Sequence, residues 1–272
     1  KDVNMIDSFH LEAYGEMAVN YNRDLEVFPV VKRIIEKITG TEAVYKSPTD
    51  MGVNRAGFAI FDDEAVKEAA CQEVIRRYLA ALCDYKKGRI GEDSVERSKL
   101  LMDELELKIE DRKVVVAANE YAEEKKENEE FFENGVAMAM ELPNGDIITG
   151  KNSAHMVAPA AAILNAVKHL AGMEDHVHLI APDVLDRIEN FKRDILNQEK
   201  TTLSIEEILN ALTVSASSDS QAAIAVQKLK ELRGCKAHCT AILSERDEQT
   251  LRSMGIDVTC DPEYVTTNLY FA

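Results

Sequence analysis

Apolar residues recur at helical spacing over Phe28–Thr39, where Val30, Val31, Ile34, Ile35 and Ile38 share a face and Gly40 supplies a stop. Asp62 and Asp63 open a long helix predicted to run to about Lys87. Ala65, Ala69, Val74, Tyr78, Leu79 and Leu82 are its buried positions, and Gly88 ends it. Glu92–Leu105 and Glu110–Lys126 read as two further amphipathic helices. The charge block Glu123–Asn134 reads as a solvated helix end or a mobile loop.

The pattern then changes. Val136–Leu142 and Asp146–Thr149 flank Pro143-Asn144-Gly145, and Asn-Gly between apolar runs is a strong hairpin signal. A small-residue helix, Met156–Ala171, follows with Gly172 as its stop, and His176–Ala181 reads as a short strand. Pro182-Asp183 starts another helix at Val184, and helices over Ser204–Ala216 and Asp219–Leu232 come next. The strand Cys235–Leu243, the helix Ser244–Ser253 and the strand Ile256–Cys260 close the pattern. The expected organisation is α/β: a mainly helical segment over residues 1–134, then a mixed-sheet α/β domain over 135–272.

Composition narrows the classes of function. A formal charge of −17 over 272 residues speaks against general nucleic-acid binding, which relies on Lys and Arg. No apolar run nears the roughly 20 residues that span a bilayer, so no membrane partner is expected. Five scattered cysteines form no disulfide framework, and with no signal peptide in view they point to a reducing, cytoplasmic setting. The chain opens Lys1-Asp2 without an initiator Met, so it is expected to be part of something longer.

Two stretches, Asp2–Asp24 and Tyr45–Gly57, are dense in ligand-binding side chains and lack a core-building period. They hold the candidate site. His10 is the candidate base with Asp7 as its orienting partner, and Asp50 joins them as a third catalytic candidate. Arg23 and Lys46 are the anion-holding groups, with Asp24, Ser47, Thr49 and Asn54 as further ligand-binding positions. Two alternatives stay open: Asp7 and His10 could help to hold a divalent cation, and Ser47–Asp50 could be only a turn and helix cap. No defined metal site is expected.

Other motifs invite structural readings. Gly145–Asn152 nearly matches the phosphate-loop pattern GxxxxGK[ST], but Ile147-Ile148-Thr149 reads as a strand where that loop needs a flexible turn. Cys235 and Cys239 share one strand face with His238 on the other, which suits core cysteines better than a metal site. His176 and His178 would share a face of their predicted strand, and His169 would be a charge partner at a helix C-terminus. Ser153 and His155 precede a helix start, where Asn152 or Ser153 is a natural N-cap. No nucleophile–base arrangement stands at a recognisable spacing.

VNMIDSFHLEAYG, AVNYNRDLEVFP and YKSPTDMGVNRAGF, with DRKVVVAANEYAEE, AILNAVKHLAG and LRGCKAHCTAILS, resemble the bacterial family called domain of unknown function 1846. The resemblance covers essentially the whole chain and implies a family without an established reaction. It implies that this chain is the C-terminal half of a protein about twice as long. A missing N-terminal half with its own phosphate loop would then be the partner and would bind any nucleotide cofactor, leaving none in this half. The order hairpin, helix, strand, Pro-started helix, strand–helix–strand also resembles the cytidine-deaminase-like fold. Where deaminases carry zinc ligands, this chain has Pro159-Ala160-Ala161 and Pro182-Asp183-Val184, so that resemblance implies a scaffold and not deamination.

Two functional expectations result. The first is the substrate-side half of a nucleotide-dependent enzyme acting on a small polar metabolite. The second is a non-catalytic assembly module, a homo-oligomer whose polar motifs form an interface.

Overall fold

The computed structural model describes residues 33–34, 36–41, 63–127 and 135–265. The chain divides into two compact units, Lys1–Arg112 and Lys113–Ala272. Among the described residues no helix is long and apolar enough to cross a membrane.

In the first unit, residues 33–34 and 36–39 are helical, and Gly40 follows with φ +65° as the predicted stop. Helix α1 (Asp63–Lys86) and helix α2 (Glu92–Glu104) pack against each other. Val74, Ile75, Leu79 and Cys83 of α1 and Leu101 and Met102 of α2 are buried, at the spacing that sets one face of each helix toward a core. Tyr78 and Leu82, expected in that core, are only half-buried. Gly88 closes α1 at φ +71°, and Arg89 N–H reaches back to Asp84 O at 2.8 Å. One carboxylate is buried here: Glu73 accepts from Arg76 Nε and Arg77 Nε, both at 2.6 Å.

The second unit begins with helix α3 (Lys113–Glu127) and the strands β1 (Ala137–Glu141) and β2 (Ile147–Lys151). Helices α4 (Ala158–Leu170), α5 (Pro182–Asp194), α6 (Ile205–Ser215) and α7 (Ser220–Lys228) follow. Strand β3 (Lys236–Cys239), helix α8 (Glu245–Ser253) and strand β4 (Asp257–Cys260) complete it. The sheet order is β2-β1-β3-β4, with β1 antiparallel to both neighbours and β3 parallel to β4. This is the mixed sheet and the α/β class that the hydrophobic pattern predicts.

The β1–β2 hairpin turns as expected through Pro143-Asn144-Gly145. Gly145 N–H donates to Leu142 O and Leu142 N–H to Asp146 O, both at 2.8 Å. Pro143 presets its own φ, and Gly145 takes φ +86°, the left-handed position of a three-residue loop. A side chain added at Gly145 would meet no atom within 4 Å, so only the backbone resists substitution. Gly145→Val is therefore expected to lower stability by about 1 kcal/mol or more, read as a fall in melting temperature. An unchanged melting temperature would contradict the turn.

One predicted strand does not form. Residues 176–181 take irregular coil. Leu179 and Ile180 are buried in the core nonetheless, so their apolar run is satisfied by packing without a strand ladder. His176 and His178 consequently share no strand face. His176 is exposed and paired with Glu174 at 3.1 Å.

The two faces of the sheet differ. Met138 and Met140 of β1 and Ala237 and Cys239 of β3 point into the main core, which helices α4, α6 and α7 also line. Gly150 and Ile148 are in register with Met138 and Met140 and so share that face. The opposite face carries Ala139, which packs under Val114 and Ala118 of α3. By register it also carries Thr149 and Lys151 of β2, His238 of β3 and Thr259 of β4. That face is polar.

Candidate functional site

Because β1 alone runs against the others, the carboxyl ends of β2, β3 and β4 lie along one edge of the sheet. In open α/β sheets ligands gather at such edges. The edge holds Lys151 at the end of β2 and Asn152 after it, Thr240 after β3 and Asp261 after β4. Thr240 is structural, because its Oγ1 accepts from Ala137 N–H at 3.0 Å and fastens β3 to β1.

His238 is fully buried on the polar face, opposite Ala139 on one side and Thr259 on the other. Its Nδ1 lies 2.9 Å from Thr259 Oγ1. Its Nε2 lies 3.2 Å from Asp261 Oδ1, at an angle that does not make a well-formed hydrogen bond. Thr259 Oγ1 is also 3.2 Å from Ala237 O. Two hydrogen arrangements satisfy Nδ1 and the Thr259 hydroxyl. If Thr259 donates to Ala237 O, it accepts from Nδ1–H; if it donates to Nδ1, the imidazole is neutral with its proton on Nε2 toward Asp261. Asp261 is the solvent-facing end of the row, with its side chain 20% exposed.

The cysteine readings hold. Cys235 and Cys239 face the main core while His238 faces the other way. Burial, with the charge of Glu141 added, pushes the Cys235 thiol up to about 11, so it is no thiolate ligand or nucleophile near neutral pH.

Gly145–Asn152 is no phosphate loop. Ile147–Lys151 is strand β2, and Gly150 is needed because α4 lies directly on it. Neither Asn152 nor Ser153 is the N-cap of α4, which is Val157; both instead act from the turn before it. Asn152 Oδ1 accepts from Ala158 N–H at 2.6 Å at the start of α4, and Ser153 Oγ accepts from Met156 N–H at 3.1 Å. His169, in the last turn of α4, lies with Nε2 2.8 Å from Asp146 Oδ2 on the hairpin. Hydrogen bonds from His169 and Asn144 hold the Asp146 carboxyl below the usual range.

Asp7, His10, Arg23, Asp24, Lys46, Ser47, Thr49, Asp50 and Asn54, the site residues expected from the sequence, lie outside the described residues. The His238–Thr259–Asp261 row was not foreseen. His238 stands more than twenty positions before Thr259 and Asp261, and only the parallel register of β3 and β4 joins them.

The comparisons with known proteins bear on the whole chain. The family model "Domain of unknown function DUF1846, N-terminal" matches residues 1–106, and "Domain of unknown function DUF1846, C-terminal" matches 110–270. A UPF0371 protein of Clostridium botulinum (strain Langeland / NCTC 10281 / Type F) is 56% identical over 271 residues, covering 100% of this chain and 54% of that protein. UPF0371 proteins of Clostridioides difficile (strain 630) and Clostridium tetani (strain Massachusetts / E88) are 53% and 55% identical, with the same coverage. The chain thus spans about half the length of the curated relatives it matches. These matches correct one expectation. The chain is not the C-terminal half alone, partnered by a missing nucleotide-binding N-terminal half, because the polar motifs at its start fall inside the match to the N-terminal domain. The chain belongs to the DUF1846 (UPF0371) family, whose function is unknown.

Proposed function

We propose that this chain binds a small polar metabolite at the carboxyl edge of its sheet and exchanges a proton with it through Asp261. The observation that carries the reading is the Thr259–His238–Asp261 row, with distances of 2.9 Å and 3.2 Å and a fully buried imidazole at its centre. Asp261 is the group a ligand would meet, and a carboxylate there accepts from the hydroxyl or amino groups of a polar metabolite. His238, 3.2 Å from Asp261, is the positioning residue behind it. The density of carboxylate, amide, imidazole and guanidinium groups among Asp7, His10, Arg23, Asp24, Asp50 and Asn54 supports the same class of ligand.

Thermal-shift screening of the chain against polyols, amino acids, sugar phosphates and nucleotides tests the reading. A ligand that raises the melting temperature is expected to bind Asp261→Asn and His238→Gln at least tenfold more weakly, which is about 1.4 kcal/mol. Asp261 is partly exposed, so Asp261→Asn separates lost binding from lost folding. Equal affinity for wild type and both variants would refute the reading.

A further inference from the structure

His155 stands on the turn between β2 and α4, and its backbone is tied down twice. Its N–H donates to Ser153 Oγ at 3.3 Å, and its carbonyl accepts from Leu203 N–H at 2.8 Å. Asp186 and Glu189 lie three positions apart on α5, which sets both on one helical face. His155 Nδ1 is 2.7 Å from Glu189 Oε1. One donor atom from each of His155, Asp186 and Glu189 lies within 4.8 Å of the other two.

The charge balance separates this cluster from a surface ion pair. The Glu189 side chain is only 15% exposed, and burying a carboxylate is costly unless a cation or strong donors compensate it. Among the described residues no Lys or Arg pairs with Glu189 or Asp186, and the imidazole of His155 is the partner of Glu189. The cationic side chains of α5 are engaged elsewhere, Arg187 with Asp183, Lys192 with Glu207, and Arg193 with Asp194 and Asn190. Two carboxylates therefore share at most one positive charge, and none when the imidazole is neutral. A divalent cation removes a deficit of that sign.

The geometry points to a binding site for a divalent metal ion held by His155 Nδ1 and one carboxylate oxygen each from Asp186 and Glu189. This site stands independently of the reading of Asp261. One imidazole with two carboxylates and no thiolate suits Mn²⁺ or Zn²⁺, with water in the remaining positions. Donors about 2.1 Å from a tetrahedral ion stand about 3.4 Å apart, so the His155–Glu189 contact must open by roughly 0.7 Å. The half-exposed imidazole can turn that far. A bound ion would clamp α5 to the turn that precedes α4.

Titration of the chain with MnCl₂, followed by loss of the electron paramagnetic resonance signal of free Mn²⁺, tests the site. Thiols are poor ligands for this ion, so the five cysteines do not confuse the reading. One Mn²⁺ per chain is expected, with His155→Ala and Asp186→Asn each binding at least tenfold more weakly. Both positions are exposed, so these variants keep the fold. The exposed His169–Asp146 pair, at 2.8 Å, is the control, and His169→Ala should bind as wild type does. No uptake by wild type, undiminished affinity in His155→Ala and Asp186→Asn, or an equal loss in His169→Ala would overturn the site.

Discussion

Gly150→Ala is expected to cost about 3 kcal/mol or more, because the added methyl group has nowhere to go. A Cβ at Gly150 would stand 2.7 Å from Ala162 Cα and 2.8 Å from Ala161 C, and closer still to Ala162 N. All three are backbone atoms of α4, so no side-chain rotation relieves the overlap. Either the helix lifts off β2 or the strand leaves its register with β1. Both changes open the core around Met138, Ile163 and Ala166, which are fully buried. Melting should fall by roughly 10 °C relative to wild type, given about 2–4 °C per kcal/mol in a domain of this size. A variant that melts within a degree of wild type would contradict the close approach of α4.

Glu207→Gln is expected to cost about 2 kcal/mol, and its effect should vanish in acid. Lys192 is 7% exposed, and its ammonium donates to Thr202 O at 2.8 Å and to Glu207 Oε2 at 2.9 Å. The same carboxylate accepts from Ser204 N–H at 2.8 Å, so it caps α6 and neutralises the buried ammonium together. Removing the charge leaves Lys192 short of a counter-ion, the costly way to break such a pair. The cost is set below that of a fully buried pair because the Glu207 side chain is 29% exposed. Lys192→Met removes the demand itself, so the double variant should lose less than the two single changes summed. Burial raises the Glu207 carboxyl, but the Ser204 backbone N–H and the Lys192 ammonium outweigh it and hold it below the usual 4.5. A carboxyl depressed in the folded state stabilises fully above the unfolded value, and that stability is lost as pH falls through the folded one. Denaturant unfolding of wild type and Glu207→Gln should therefore differ at pH 7, and the gap should close as pH falls below 4.5 and through the depressed folded value. A gap that persists in acid would contradict the pairing.

Much of the architecture is legible in the chain because local punctuation agrees with burial. Gly88, Pro143-Asn144-Gly145, Gly172 and Pro182 stand at element ends, and Ser204 and Asp219 accept backbone N–H groups as caps. The alternation that sets Cys235 and Cys239 opposite His238 follows from strand period alone. Residues 176–181 show the limit of that logic. An apolar run needs burial and not a ladder, and Leu179 and Ile180 find it among helices. Gly150 stands in a phosphate-loop pattern by residue type, yet its need for glycine comes from a helix laid across it. The pairs that carry chemistry were illegible for a different reason. His238 meets Thr259 across 21 positions and His155 meets Glu189 across 34, and no local pattern records either contact.

The placement of β1 has a consequence for how the polypeptide matures. Among the described residues it is the first strand in the chain but lies second in the sheet, and its Ala137 N–H is tied to the hydroxyl of Thr240, 103 residues later. A lone two-stranded ribbon is barely stable in water, so the β1–β2 hairpin leans on α4, which packs against it, until β3 leaves the ribosome. Synthesis at about 5–20 residues per second makes that wait several seconds. During that interval the side of β1 that β3 will pair keeps its backbone N–H and C=O groups open, an unpaired strand edge that only the later segment closes.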